Sequence, residues 1–304
     1  MGTCDGQVRL PNSHLEKLEG DYLFHLNIDI NNPKVLMSFR QVQFVCVGGT
    51  ADRIKRLATA LAAELDSTDD RDKLVDISNE RYSGFKVGPI LCVNHGIGNP
   101  SLSVMLHEVF KLLHKAKCHD VTLIRIGTCG GIGVKAGTVI VSTAALSAGL
   151  EPVYLTSSLG LPLKLPTDVD PELVQELIQD RAPEDTFDVI AGKTYCADDF
   201  YQGQGRLDGS FCDYTKEDQM RFLTLLYDSG VRNMDMESAG ILAMGRKVGI
   251  KSAVVCVVIV DRLESELPTV SAAQLQEFQN FPNMLVKRFI MSRLRQTSKQ
   301  AGNQ

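Results

Sequence analysis

The sequence predicts an α/β fold in which a central β-sheet is covered by helices on both faces. Three observations predict it. Short β-branched apolar runs alternate along the chain with segments of helical apolar spacing. Three of those runs end in glycine-rich stretches, at Gly49, at Gly96–Gly98 and at Gly127–Gly131. No repeat, low-complexity tract or linker divides the chain, so residues 21–296 read as a single domain.

Taken in order, residues 1–20 are polar and are expected to be mobile, as are residues 297–304. Phe44 to Val47 is a short buried strand. It leads through Gly48 and Gly49 into a helix ending near Leu65, with Ile54, Leu57, Ala58 and Leu61 on one face. Ile90 to Val93 is a second strand. The turn from His95 to Ser101 follows, then a helix to Ala116 striped by Leu102, Met105, Leu106, Val109 and Leu113. A third strand starts at Val121, contains Arg125 and runs into a turn with Thr128 and glycines 127, 130 and 131. Further strands are expected at Thr138–Val141, Val189–Ala191 and Ala253–Ile259. Further helices are expected at Pro171–Ile178, Glu217–Ser229, Glu237–Val248 and Ser271–Arg295. Residues 148–168 mix Leu, Gly and Pro and give no clear element.

Composition narrows the function. The 304 residues are 44% apolar and 23% charged, with a net charge of −5. That balance argues against nucleic acid as the main partner, because phosphate-backbone binding wants a basic surface. No apolar run approaches the roughly 18 residues of a membrane span. The N-terminus lacks the pattern of a signal peptide, so a cytoplasmic protein is expected. Eight cysteines at positions 4, 46, 92, 118, 129, 196, 212 and 256 form no CxxC pair. They read as buried free thiols. The histidines show no metal-binding spacing, and no protein-held metal or cofactor is expected.

Arg125 is the most informative single residue. A lone guanidinium in an apolar strand costs roughly several kcal/mol in desolvation unless an anion meets it. With the Thr128 hydroxyl and nearby backbone amides, it suggests a small anion at the strand's carboxyl end. The glycine turns match neither a phosphate-binding loop of the GxxxxGK type nor a dinucleotide fingerprint. A second signal is Phe200-Tyr201-Gln202-Gly203-Gln204-Gly205-Arg206. Gln204 offers a donor and an acceptor while Arg206 offers only donors, a set that suits a ring carbonyl beside an N–H, such as uracil. Taken alone, the run equally fits a solvated loop. A third is Met234-Asp235-Met236-Glu237-Ser238. Its carboxylate serves either a helix dipole or two sugar hydroxyls.

Together and in this order, the three segments resemble the nucleoside phosphorylase-I family, and within it the animal-type enzymes that cleave uridine. The likeness extends from about residue 22 to about residue 290, and F-Y-x-G-Q-G-R is its most specific motif. The resemblance implies a mixed, partly barrel-like sheet. It also implies reversible phosphorolysis of uridine to uracil and ribose 1-phosphate, a step of pyrimidine salvage. Inorganic phosphate is then a co-substrate, with no cofactor.

Residue by residue, the resemblance puts Gly49, Arg53, Arg81, Arg125 and Thr128 on phosphate. It puts Phe200, Gln204, Arg206, Ile259 and Val260 around uracil, and His25, Met236 and Glu237 on ribose. Arg125, Arg206 and Glu237 carry the catalytic weight. His25 and Arg81 would come from a second subunit, implying a homodimer. Without the resemblance these two read as ordinary surface residues.

Three positions depart from the pattern. Cys129 stands where relatives commonly have serine. Asp261 stands where asparagine is expected, and an aspartate there protonates the base in bacterial-type purine enzymes; it otherwise pairs with Arg262 or another cation. Tyr82 replaces a glutamate that holds potassium in bacterial relatives. The alternatives are a purine nucleoside phosphorylase of the same family, a water-using nucleosidase, and a catalytically silent nucleoside-binding paralogue.

Overall fold

The computed structural model describes residues 6–18, 20–65 and 73–302. Within them the chain groups into two compact units. One comprises residues up to Arg125 together with Met244–Ser252, and the other comprises Ile126–Ala243 with Ala253 onward.

In the first unit a two-residue hairpin, β1 (Tyr22–Leu23) against β2 (Ile28–Asp29), precedes helix α1 (Pro33–Phe39). Asn32 caps α1, and Pro33 fits its first position because that N–H has no helical partner. Strand β3 (Phe44–Gly48), helix α2 (Ala51–Leu65), strands β4 (Val75–Asp76), β5 (Gly84–Val87) and β6 (Ile90–Asn94), helix α3 (Gly98–Lys115) and the start of β7 (Thr122–Gly131) follow. The strand order is β7-β3-β6-β5-β4. β3 and β6 run parallel with Cys46 opposite Cys92, whereas β5 is antiparallel to β6. The apolar stripes of α2 and α3 are buried as their spacing requires, from Ile54 to Leu61 and from Leu102 to Leu113. Residues 6–18, expected to be mobile, are instead anchored. Val8 is buried, its carbonyl meets His114 Nδ1 at 2.8 Å, and the Arg9 N–H donates to the Val248 carbonyl. Residues 297–302, also expected to be mobile, continue the last helix, which ends at Gly302, whereas residues 1–5, 19 and 303–304 of the predicted mobile ends, Cys4 among them, lie outside the described residues.

The second unit carries the rest of β7, then β8 (Val139–Leu146), a hairpin of β9 (Val153–Ser158) and β10 (Leu161–Pro166), helix α4 (Pro171–Gln179), β11 (Val189–Cys196), α5 (Lys216–Asp228), β12 (Val231–Asp235), α6 (Ser238–Lys247, continuing into the first unit), β13 (Lys251–Asp261), α7 (Ala272–Phe278) and α8 (Phe281–Gly302). The pairings β12-β11-β8-β13-β7 close on themselves, because β12 also pairs with the end of β7. Asn233 lies opposite Gly131 and Met234 opposite Gly130. This five-stranded ring is the barrel-like part of a mixed sheet: β8, β11 and β12 run parallel, and β13 is antiparallel to β8.

Three expectations are corrected. The glycine run after Arg125 is not a turn but the end of β7. Glycine is needed there for close approach: a Cβ on Gly131 would lie 2.5 Å from the Val134 carbonyl and 2.6 Å from Val258 Cγ1. The single helix expected over Ser271–Arg295 is two, α7 and α8. Pro282 has no N–H to donate to the turn before it, so a helix has to restart at that point. Residues 148–168 form the β9–β10 hairpin, whose tip at Leu159 and Gly160 has positive φ at both positions.

Candidate functional site

In the first unit, β3 and β6 place their following turns side by side. A Cβ on Gly49 would stand 3.2 Å from the Gly96 carbonyl and 3.9 Å from His95 Cε1, so a side chain there would crowd the neighbouring turn. The His95 N–H donates to the Gly48 carbonyl at 2.9 Å, and the Ser101 hydroxyl donates to the His95 carbonyl at 2.6 Å. Arg53 follows in the first turn of α2 and is buried. Arg125, 4% exposed, is equally buried within β7. Thr128 lies three residues further along the same strand and is half-buried.

His25 and Arg81 belong to the same unit and are tied through Asn79. The Asn79 amide donates to the His25 carbonyl at 3.0 Å, and its oxygen accepts the N–H groups of Arg81 and Tyr82 at 2.8 and 3.0 Å. Glu108 of α3 holds the other side. It meets His25 Nδ1 at 2.8 Å and accepts the N–H groups of His25 and Leu26 at 3.0 and 2.8 Å. Arg81 itself is exposed, and its guanidinium makes no hydrogen bond or ion pair among the described residues. Tyr82 is buried, its hydroxyl donating to the Ser101 carbonyl.

In the second unit the segment between β11 and α5 carries Phe200, Gln204 and Arg206. The Arg206 guanidinium stacks 4.7 Å from the Phe200 ring centroid. Gln204 is only 5% exposed, yet its amide bonds to no described residue. The main chain around Arg206 is fixed from two sides. Gln219 Nε2 donates to the Gly205 carbonyl at 2.6 Å, and the Tyr214 hydroxyl donates to the Arg206 carbonyl at 2.5 Å. Gln219 also donates to Glu266, which accepts from Arg262 at 3.0 Å. The segment after β13 is thereby clasped to the Gln204–Arg206 loop. Arg262 is buried, and that burial depresses its pKa. Gly130 leaves room for it: a Cβ there would lie 3.0 Å from Arg262 Cγ.

Met236 and Glu237 sit in the bend between β12 and α6. Asp235 caps α6, accepting from the Ser238 N–H at 3.2 Å and the Ser238 hydroxyl at 2.6 Å, which fixes the bend. The helix thus begins at Ser238, one residue after the expected start, and Glu237 is buried just ahead of it. Ile259 and Val260 close β13.

Two departures are resolved locally. Asp261 does not pair with Arg262, whose partner is Glu266. Its Oδ1 accepts instead from the Gly133 and Leu263 N–H groups, at 3.0 and 3.1 Å. Cys129 is buried, and burial first, then Cys256, pushes its thiol well above the usual range, so it is no reactive thiolate. Among the described residues no group of three or more His, Cys, Asp or Glu could hold a metal ion, and no helix is long and apolar enough to cross a membrane.

Comparison with known proteins gives the family of the chain. The family model of the phosphorylase superfamily matches residues 43–291. Uridine phosphorylase 2 of Homo sapiens is 39% identical over 289 residues, 94% of this chain and 91% of that protein. A uridine phosphorylase structure from the oomycete Phytophthora capsici superposes with a TM-score of 0.90 at 40% identity, covering 95% of this chain and 99% of that one. An inactive uridine phosphorylase B from Schistosoma mansoni is 37% identical over 282 residues, 92% of this chain and 94% of that protein.

Proposed function

The chain belongs to the phosphorylase superfamily, among the uridine phosphorylases of the animal type, and from that membership we infer that it is a pentosyltransferase catalysing phosphorolysis of uridine. Phosphate attacks C1′ of the ribose, the C1′–N1 bond breaks, and its electron pair leaves on uracil N1, which then takes up a proton. The products are ribose 1-phosphate and uracil, and the reaction runs both ways. No protein nucleophile and no cofactor are needed.

What the residues supply is position and charge. Arg53, Arg125, Thr128 and the Gly49 turn receive phosphate, with Arg81 of a second subunit completing its neutralisation. Glu237 and Met236 orient the ribose, whose anomeric carbon gains oxocarbenium character as in glycoside hydrolysis, and His25 of the second subunit reaches its 5′ side. Gln204 and Arg206 read uracil and stabilise the charge that builds on it, against walls of Phe200, Ile259 and Val260. The observation that carries this reading is the pairing of a buried Gln204 amide, without a hydrogen bond among the described residues, with a buried Arg206 in one anchored loop. A homodimer follows if His25 and Arg81 serve a neighbour. Residues 21–296 act as one catalytic domain in this reading, since the family match runs through both units. A cytoplasmic location suits such a salvage enzyme.

The test is base release from uridine, thymidine, inosine and adenosine, with and without phosphate. Phosphate-dependent uracil release is expected. Preference for inosine would favour the purine reading. Absence of any base release, with uracil still bound, would favour a silent paralogue, a reading that the inactive Schistosoma mansoni relative at 37% identity makes concrete.

A further inference from the structure

Asp208 stands two residues beyond Arg206 and has no part in the assignments above. Its carboxylate accepts from Arg206 Nε at 2.8 Å and from Nη2 at 2.6 Å. A guanidinium carries five N–H bonds in a fixed plane, and this two-point grip uses only the Nε–Nη2 edge. Nη1 donates to no described group, although the Arg206 residue is only 6% exposed. Asp208 lies on the other side of the balance, with its side chain 38% exposed. The stacking on Phe200 fixes the plane of the same guanidinium from one face.

We propose that Asp208 is a positioning residue for uridine phosphorolysis, holding the guanidinium of Arg206 so that its Nη1 edge is presented to a carbonyl of the pyrimidine. The inference rests on the reading of Arg206 as the base reader. An arginine has a long, flexible side chain, and freezing it before substrate arrives removes that ordering cost from the binding step. The grip also explains how a cation is kept beside a base that is neutral when bound. The carboxylate balances Arg206 in the resting site, and the remaining donors engage fully once negative charge develops on the leaving base. The ion pair in turn holds the Asp208 carboxyl below its usual range, the hydrogen bonds from Arg206 being the largest cause. Asp208 therefore stays ionised at neutral pH.

The experiment is steady-state kinetics of the full chain with uridine and phosphate varied independently, alongside calorimetry with uracil. Asp208→Ala is expected to raise KM for uridine about tenfold and to weaken uracil binding to match, with KM for phosphate unchanged within about twofold. Asp208→Asn keeps the volume but can accept only one of the two bonds, and is expected to fall between Ala and wild type. Asp208→Glu keeps the charge and is expected to recover more than Asn. A wild-type KM for uridine in both the Ala and Asn variants, or equal rises in the uridine and phosphate KM values, would overturn the proposal. If the wild-type chain turns over no uridine, the enzymatic reading falls, while uracil calorimetry on the same variants still decides what Asp208 does.

Discussion

The loop that carries Gln204 and Arg206 and the patch that carries His25 and Arg81 are built on opposite plans. Around Arg206 the main chain and the side chain are both tied down, by Gln219 and Tyr214 on the backbone and by Asp208 and Phe200 on the guanidinium. Around Arg81 only the main chain is held, by Asn79, and the exposed side chain has no hydrogen-bond or ion-pair partner among the described residues. His25 is intermediate, gripped by Glu108 through its N–H and Nδ1 with the other ring nitrogen left over. On the proposed reading, Arg206 serves its own site and is locked by its own chain, whereas Arg81, assigned to a neighbouring copy, has a fixed root and an open tip.

The most direct way to break this comparison is Arg206→Ala. It is expected to lower kcat/KM for uridine by roughly 100-fold or more, mainly through kcat, since the charge it meets is greatest in the transition state. A variant with unchanged kcat would remove Arg206 from catalysis. The open-tip side is probed by complementation. Arg81→Ala alone is expected to cost activity, and so is Arg206→Ala. Mixing the two chains after dissociation and reassociation should restore about a quarter of the wild-type rate, because half the dimers are mixed and each mixed dimer has one intact site. No recovery on mixing, with mixed dimers demonstrated by mass, would place Arg81 in its own protomer's site.

Two smaller effects sharpen the contrast in stability rather than rate. Glu108→Ala strips the His25 and Leu26 N–H groups of their common acceptor in a mostly buried position. It is expected to destabilise the fold by about 2 kcal/mol, read as a lowered urea midpoint. Thr215→Ala removes the capping box of α5, the helix that supplies Gln219. A loss of about 1 kcal/mol, or about 2 °C in Tm, is expected, with KM for phosphate unmoved.

How much of this was legible in the sequence follows the same division. Strands such as Phe44–Gly48 and helices such as α2 and α3 were readable, because apolar spacing records burial directly. β12 escaped notice because Val231-Arg232-Asn233-Met234-Asp235 mixes charge and amide into a strand whose inward Asn233 takes a hydrogen bond from Thr194 instead of packing apolar atoms. Closure of the ring could not be read either, since Gly131 opposite Asn233 is a pairing between residues about a hundred positions apart. At the site, Gln204, Arg206 and Glu237 stood out by residue type. The residues that anchor them, Gln219, Tyr214, Asp235 and Glu266, carry no motif of their own. Only Asp208, two positions from Arg206, left a local trace, an acid following a base. Asp261 shows the opposite limit: its substitution suggested proton chemistry, and the carboxylate is engaged in accepting two backbone N–H groups.

The closed ring has one more consequence, for how the molecule breathes. β11 and β12 each have a paired strand on both sides, so neither offers a free edge from which unzipping can begin. In the first unit the strand order ends at β4, two residues long and exposed, which is where fraying starts. Backbone amides of β11 and β12 are accordingly expected to exchange with deuterated solvent among the slowest in the chain, and those near β4 among the fastest. The loop that carries Gln204 and Arg206 begins just beyond β11, and the bend that carries Glu237 begins just beyond β12. If the exchange order is as expected, both grow out of the portion of the protein that opens last, and their geometry persists through fluctuations that loosen the periphery.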